Sequence, residues 1–437
     1  MSVELTKELL SFVNSSPSAF HTVLNIETML KADGYRELRE SEAWDINFNG
    51  KYYVKRNDTS IIAFHAGRNL TDYSFNIAAS HSDYPTFKIK EKPELKVKDK
   101  YVQLNTEGYG GMICPTWFDR PLSVAGRVMI KNDDHLETRI LKVDRDILII
   151  PSLAIHMNRQ VNDGAAYNKQ VDMVPLFGAG SMSVGDFDNM IACELGVDAD
   201  SIYGKDLYIY NRSEGILWGE KQEFVSAPHL DDGECAFAAL KGFLKGSCET
   251  AVNVYACFDN EEVGSMSKQG AGSSFIYDVL YRINYGLGLT EEDFYRALAS
   301  SFMVSADNAH AVHPNHPEKT DAENCVYLNE GIVIKSQAGQ KYTSDAVSTA
   351  VFRDICKEAG VPVQFFANRS DEAGGSTLGN IITSHVSINA VDIGFAQLAM
   401  HSSFETAGSK DVEYMVKAVT EFFGKHIYIE KGNIYRR

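Results

Sequence analysis

The sequence predicts an α/β fold interrupted by a β-rich insert, and three observations carry that prediction. Apolar strand-like runs alternate with helical spacing up to residue 83 and again from residue 224. Between them, over 84–223, short strands and turns follow one another and helical periodicity is scarce. At five places an apolar run ends in a His or a carboxylate among small residues, which suits a sheet that collects ligands beyond the carboxyl ends of its strands.

Taken in order, Leu9, Leu10 and Val13, and then Phe20, Val23, Leu24, Met29 and Leu30, keep helical spacing on either side of Ser16-Pro17-Ser18. KYYVKR and SIIAFHAG, separated by Asn57-Asp58, form an expected strand pair, and FNIAAS is a short strand running straight into His81-Ser82-Asp83. In the middle stretch KIKEKPELKVKDKYVQLN, SVAGRVMI, ETRILKV, DILIIPSLAI and DLYIYN are expected strands. The mixed pattern then returns with a helix through CAFAALKGFL, the strand AVNVYACF, a helix through SSFIYDVLYRI and the strand SFMVSAD. A helix through SDAVSTAVFRDICKEAG, the strand PVQFFAN, a strand-then-loop NAVDIGFAQLAMHSS and a closing helix DVEYMVKAVTEFFGKH complete it. Residues 1–83 and 224–437 are thus expected to form one α/β domain and 84–223 a second, inserted one.

Composition narrows the function. With 437 residues, 44% of them hydrophobic, the chain can bury a large core. A formal charge of −17 argues against nucleic acid and anionic membranes, which both call for clustered Lys and Arg. No stretch is long enough to span a bilayer and the N-terminus lacks a signal-peptide pattern. Seven scattered cysteines without C-x-x-C fit reduced thiols in a cytoplasmic protein.

The five strand-end segments are AASHSD (His81, Asp83), SAPHLDDG (Asp231, Asp232), CFDNEEVG (Glu261, Glu262), MVSADNAH (Asp307) and AMHSSFETAG (His401). Any one alone is a turn or a solvated residue. Together they offer the nitrogen and oxygen donors that Zn²⁺ or Mn²⁺ accepts. Two metals about 3.5 Å apart need a bridging carboxylate and further ligands on each side. Of two adjacent glutamates, one can ligate while the other takes a proton from water. Asp83 is placed to orient His81, and Asp232 to orient its neighbour or cap the next helix. The glycines Gly264, Gly270 and Gly272 lack G-K-[ST] and G-x-G-x-x-G, and no G-x-S-x-G occurs, so neither a phosphate loop nor a serine hydrolase is indicated. His229 and His385 are taken as structural, and His313 and His316 as loop caps.

H-x-D, L-D-D, D-N-E-E-V-G-S, S-A-D-x-A-H-A-V-H-P-N and M-H-S, in that order along nearly the whole chain, resemble the aspartyl aminopeptidases, a self-assembling di-metal peptidase family. The resemblance implies a zinc-exopeptidase-like sandwiched mixed sheet with the β-rich insert serving as an oligomerisation or lid domain. It implies two divalent ions per subunit, Zn²⁺ foremost with Mn²⁺ or Co²⁺ as alternatives. Asp231 would bridge them, with His81 and Asp307 at one ion and Glu262 and His401 at the other. Glu261 would be the general base and Asp83 the support of His81. Lys335 would meet an acidic substrate side chain, His156 would reach a neighbouring subunit's site, and His310, so near Asp307, would contact substrate. The expected reaction is removal of N-terminal Asp or Glu from short peptides by a cytoplasmic homo-dodecamer. A broad-specificity aminopeptidase or deacylase on the same core, or a non-catalytic assembly relative, are the alternatives. His229 and Met266 depart from the residues common in the family, Arg and an acidic residue respectively.

Overall fold

The computed structural model describes residues 2–430 and 433–436. Its centre is a nine-stranded mixed sheet in the order Arg36–Leu38, Lys51–Arg56, Ser60–Ala66, Val252–Phe258, Phe75–His81, Phe302–Ala306, Asn389–Gly394, Ile332–Lys335 and Val363–Phe366. Val252–Phe258, Phe75–His81, Phe302–Ala306 and Asn389–Gly394 are neighbours and run parallel. Register pairs Phe258 with His81 and Ser305 with Ala79, so these strands deliver their carboxyl ends to one edge.

Both faces of this sheet are covered, which explains why AVNVYACF is, apart from the buried Asn253, apolar throughout rather than alternating. Tyr255 and Cys257 enter one core, with Leu240 and Phe243 of the helix Leu230–Lys245 and Val419 and Phe422 of the helix Asp411–Phe423. Val254, Ala256 and Phe258 enter the other, with Ile276, Leu280 and Ile283 of the helix Phe275–Gly286. The closing helix buries Val412, Met415, Val416, Val419, Phe422 and Phe423, the spacing of one helical face.

A six-stranded antiparallel sheet takes all its strands from between Thr86 and Asn211, in the order Leu136–Lys142, Leu122–Lys131, Ile202–Asn211, Thr86–Val97, Tyr101–Tyr109 and Leu176–Ala179. It has its own core, built from Phe87, Leu104, Trp117, Val124, Val128, Leu207 and Ile209. A five-stranded sheet of Ile216–Trp218, Phe224–Ala227, Glu405–Gly408, Ala396–Leu398 and Ala309–His310 lies beside the carboxyl edge. All seven cysteines are free, and among the described residues no helix is long and apolar enough to cross a membrane.

Several expectations need correction. DILIIPSLAI forms no strand. Leu148 and Ile149 make only single bridges, to Leu122 and Leu176, and Pro151, which has no N–H to donate, follows at once. The middle stretch also contains a helix, Asp186–Leu195, whose buried face is only Phe187, Ile191 and Ala192, too short to show a period. Helices Glu291–Ser300 and Leu378–His385 are likewise absent from the expected order. The first carries a signal in Thr290 and Asp293, which form a reciprocal capping box. NAVDIGFAQLAMHSS divides at Phe395, with Asn389–Gly394 in the central sheet and Ala396–Leu398 in the five-stranded one.

That division depends on Gly394, where an added Cβ would overlap the carbonyl oxygen of Asp307. Gly394→Ala is expected to destabilise the protein by about 1–3 kcal/mol, as overpacking does. Thermal unfolding measures the loss, and metal content measured beside it should fall because Asp307 is displaced.

Candidate metal centre

Every strand-end residue singled out in the sequence except His401 leaves the carboxyl edge of the central sheet or the helix facing it. His81 ends its strand, Asp307 follows Phe302–Ala306, and Glu261 and Glu262 begin a single 3-10 turn after Val252–Phe258. Asn260 makes the sharp entry to that turn in the left-handed region, φ 63°. Asp231 and Asp232 occupy the non-helical start of Leu230–Lys245, joined by a cis peptide. His401 sits in the turn between Ala396–Leu398 and Glu405–Gly408.

The donors gather into two overlapping sets: His81, Asp231, Asp232 and Asp307, and Asp231, Glu262 and His401, with donor atoms in each set within 4.8 Å of one another. Asp231 is common to both. Its Oδ1 lies 3.6 Å from His81 Nε2, its Oδ2 lies 3.4 Å from His401 Nε2, and that nitrogen lies 3.3 Å from Glu262 Oε2. These separations are long for hydrogen bonds. They match the donor–donor edges, about 3.3–3.6 Å, of a tetrahedral centre with bonds of about 2.0–2.2 Å. Asp231 Oδ1, Asp232 Oδ1 and Glu262 Oε1 are buried without a hydrogen-bond partner among the described residues. Orphaned buried carboxylate oxygens call for a cation, so the residues present fit a bound metal. Glu261 shares a third set with His81 and Glu262.

Residues behind the donors fix their orientation, and the sequence disclosed only some of them. The His81 Nδ1–H donates to the backbone carbonyl of Asp83 at 3.1 Å, while the Asp83 carboxylate stands 3.6 Å away. That carboxylate instead accepts the N–H groups of Glu261 (3.0 Å) and Glu262 (3.2 Å) and the hydroxyl of Tyr109 (2.5 Å). Asp232, expected to orient Asp231 or cap the helix, accepts the backbone N–H of His81 at 2.9 Å. Glu405 was not foreseen. It accepts the N–H of Asp231 at 2.9 Å and of His401 at 2.6 Å, tying together residues 170 positions apart in the chain. Gly111 was also missed; its carbonyl accepts from His401 Nδ1 at 2.7 Å, which turns Nε2 toward the cluster.

Electrostatics show a site short of positive charge. Burial, then the Asp307 and Asp83 carboxylates, pushes Glu261 up to about 8, although His81 opposes this. Burial and Asp231 push Glu262 well above the usual range, and burial followed by Asp231 pushes Glu405 up to about 8. Burial disfavours the charged imidazoles, yet Asp232, Asp231 and Asp83 hold His81 well above its ordinary value, and Asp231 carries His401 up to about 9. Asp231 is opposed by burial but drawn down by His401 and His81.

The remaining predicted residues are placed less uniformly. Lys335 is only 1% exposed; its Nζ donates to the carbonyls of Asp307 (2.7 Å) and Asn308 (3.1 Å) and lies 3.7 Å from Asp307 Oδ2. His310 is exposed on the strand Ala309–His310, its ring 6.3 Å from that of Phe366. His156 lies in an exposed loop of the 86–211 region, and among the described residues it makes no hydrogen bond to the cluster. His229 is half-buried and stacked on Tyr84 at 4.3 Å, and desolvation of its ring lowers it to about 4. His313 accepts the N–H of Asn315, a loop cap.

A doubly covered mixed sheet that opens two overlapping carboxylate–imidazole sets at its carboxyl edge defines a metalloenzyme of the hydrolytic kind. The chain belongs to the family Aminopeptidase I zinc metalloprotease (M18), whose model matches residues 12–423. It is therefore an M18 metallo-aminopeptidase, a hydrolase. It is 48% identical over 431 residues to a probable M18 family aminopeptidase 2 of Clostridium acetobutylicum, covering 96% of this chain and 99% of that one. A probable M18 family aminopeptidase 2 of Ectopseudomonas mendocina is 40% identical over 430 residues, covering 97% and 99%. Among solved structures, the chain resembles that of the Ape4 and Nbr1 complex, with a TM-score of 0.94, 35% identity and 97% and 86% of the chains covered. It also resembles the S. cerevisiae mApe1 dodecamer, with a TM-score of 0.83, 25% identity and 95% of each chain covered.

Because Asp231 carries His401 up to about 9 and burial pushes Glu261 up to about 8, the metal-free site holds extra protons at pH 7 that metal binding must expel. Metal binding is expected to release protons and to tighten as pH rises from 5 to 8. Calorimetric titration in buffers of different ionisation enthalpy counts the protons.

Proposed function

We propose that this metallo-aminopeptidase works with two divalent ions, Zn²⁺ foremost, and removes N-terminal Asp or Glu from short peptides. The sharing of Asp231 between two donor sets carries the two-ion reading. His81 and Asp307 would complete one site, and Glu262 and His401 the other. Bound there, the ions supply Lewis-acid polarisation of the scissile carbonyl and acidify water. Glu261, beside His81 but outside the two ligand sets, takes the proton of the attacking water on its carboxylate and delivers it to the leaving amine nitrogen. The burial that raises Glu261 in the metal-free protein favours that exchange once cations stand beside it. Asp83 holds the Glu261–Glu262 turn through two backbone N–H groups.

Acidic selectivity is assigned to Lys335, which has one N–H beyond those given to two carbonyls, with His310 at the rim of the site. The same burial of Lys335 favours a second reading, a broad-specificity aminopeptidase, in which this ammonium serves Asp307 alone. Assembly is proposed as a homo-dodecamer, in which the 84–223 domain bridges subunits or covers sites and His156 enters a neighbour's site. Leu153, Ile155 and Met157 around His156 are 56%, 47% and 74% exposed, apolar surface that a second copy would bury. A cytoplasmic setting suits the free cysteines.

Hydrolysis of Asp-, Glu- and Leu-anilides, before and after chelation and with Zn²⁺, Mn²⁺ or Co²⁺ restored, separates these readings. Acid-selective, metal-restored cleavage is expected; equal or faster cleavage of Leu would remove Lys335 from substrate recognition. Glu261→Gln is expected to slow turnover by at least about 100-fold with metal content unchanged, and a variant keeping most of its activity would rule out the proposed base.

A further inference from the structure

The segment Tyr109-Gly110-Gly111 ends a strand of the six-stranded sheet, yet all three residues touch the metal centre. Tyr109 donates its hydroxyl to Asp83 at 2.5 Å and accepts from Asn260 Nδ2 at 2.9 Å, so it holds both the Asp83 carboxylate and the residue before Glu261. Gly110, with φ 73°, has an ideal Cβ position 3.2 Å from Glu262 Cβ and 3.3 Å from Pro85, an approach that suits a residue without a side chain. The Gly111 carbonyl fixes His401 through Nδ1, and two residues on the Ile113 N–H donates to the carbonyl of His401 at 2.9 Å. One short segment thus reaches Asp83, Glu262 and His401 from a sheet that contributes no donor of its own to the two sets.

Packing alone does not account for Tyr109. Asp83 and Tyr109 both line a cavity of about 280 Å³ between the two sheets, with Tyr208, Asp259, Asn260 and Lys88. The Asp83 carboxylate is therefore backed by a polar space, and the phenol is the only side chain among the described residues that donates a hydrogen bond to it. Burial and then Asp83 push the Tyr109 phenol up, so it stays a donor. Its ring meets Tyr208 edge-on at 5.7 Å, a contact phenylalanine would keep.

We propose that Tyr109 and Gly110 are positioning residues through which the six-stranded sheet sets the geometry of both metal sites, Tyr109 acting through Asp83 and Gly110 through Glu262. The inference rests on the two-ion reading given above. A hydroxyl removed behind a ligand-supporting carboxylate is expected to weaken metal affinity or activity by about 10–100-fold. Tyr109→Phe should lower kcat by about 10-fold or more with KM changed less than about 2-fold, and should lose Zn²⁺ to a competing chelator at about one-tenth the concentration. Gly110→Ala should act in the same direction. Tyr208→Phe, which lines the same cavity without touching Asp83, should match the unsubstituted protein in both readouts. Thermal unfolding of each variant verifies that the fold is kept. Tyr109→Phe and Gly110→Ala that retain wild-type kcat and Zn²⁺ would overturn the proposal while leaving the two-ion reading intact. A wild-type protein that neither binds Zn²⁺ nor cleaves any anilide would remove both.

Discussion

Negative charge held out of water at the ends of parallel strands is the constraint from which the remaining structure follows. Among the described residues, Asp231, Asp232, Glu262, Asp307 and Glu405 are clustered with only His81, His401 and Lys335 as counter-charges. Repulsion and burial together push several of the acids toward protonation, and Asp231 Oδ1, Asp232 Oδ1 and Glu262 Oε1 have no hydrogen-bond partner among the described residues. A metal bound among these donors would relieve these conflicts. The central sheet provides the rigidity that the arrangement needs, because its strands are packed on both faces and cannot slip without exposing Tyr255, Cys257 or Phe258.

Rigidity at the sheet does not by itself orient side chains. That falls to a layer of hydrogen bonds from other parts of the chain. Glu405 joins the Asp231 and His401 backbones, Asp232 holds the His81 backbone, and Asp83 anchors the Glu261–Glu262 turn. Lys335 places a buried ammonium against the Asp307 carbonyl and within 3.7 Å of its carboxylate. Elements far apart in sequence therefore have to be assembled before the donors take their places, which makes the site a property of the whole fold.

The sequence disclosed donors better than supports, for a physical reason. His81, Asp231, Glu262, Asp307 and His401 each follow an apolar run among small residues, a pattern that local chemistry explains, and the structure gathers them in one cluster. Gly111 acts through a carbonyl, which has no residue-type signature, and Glu405 acts through backbone N–H groups whose owners lie 174 and 4 positions away. The central strands were legible because burial on both faces makes them mostly apolar rather than alternating. DILIIPSLAI has the same composition but no sheet to join along its length, so composition misled. Short amphipathic helices such as Asp186–Leu195 bury too few residues to reveal a period.

The account turns on Asp231 being common to two ion sites. The most direct measurement is the metal content per chain, by elemental analysis after Zn²⁺ loading and desalting, of the unsubstituted protein and of Asp231→Asn. The account predicts two ions per chain in the first and the loss of both from the second. A single ion in the unsubstituted protein, or an Asp231→Asn protein that keeps a full site, would contradict it.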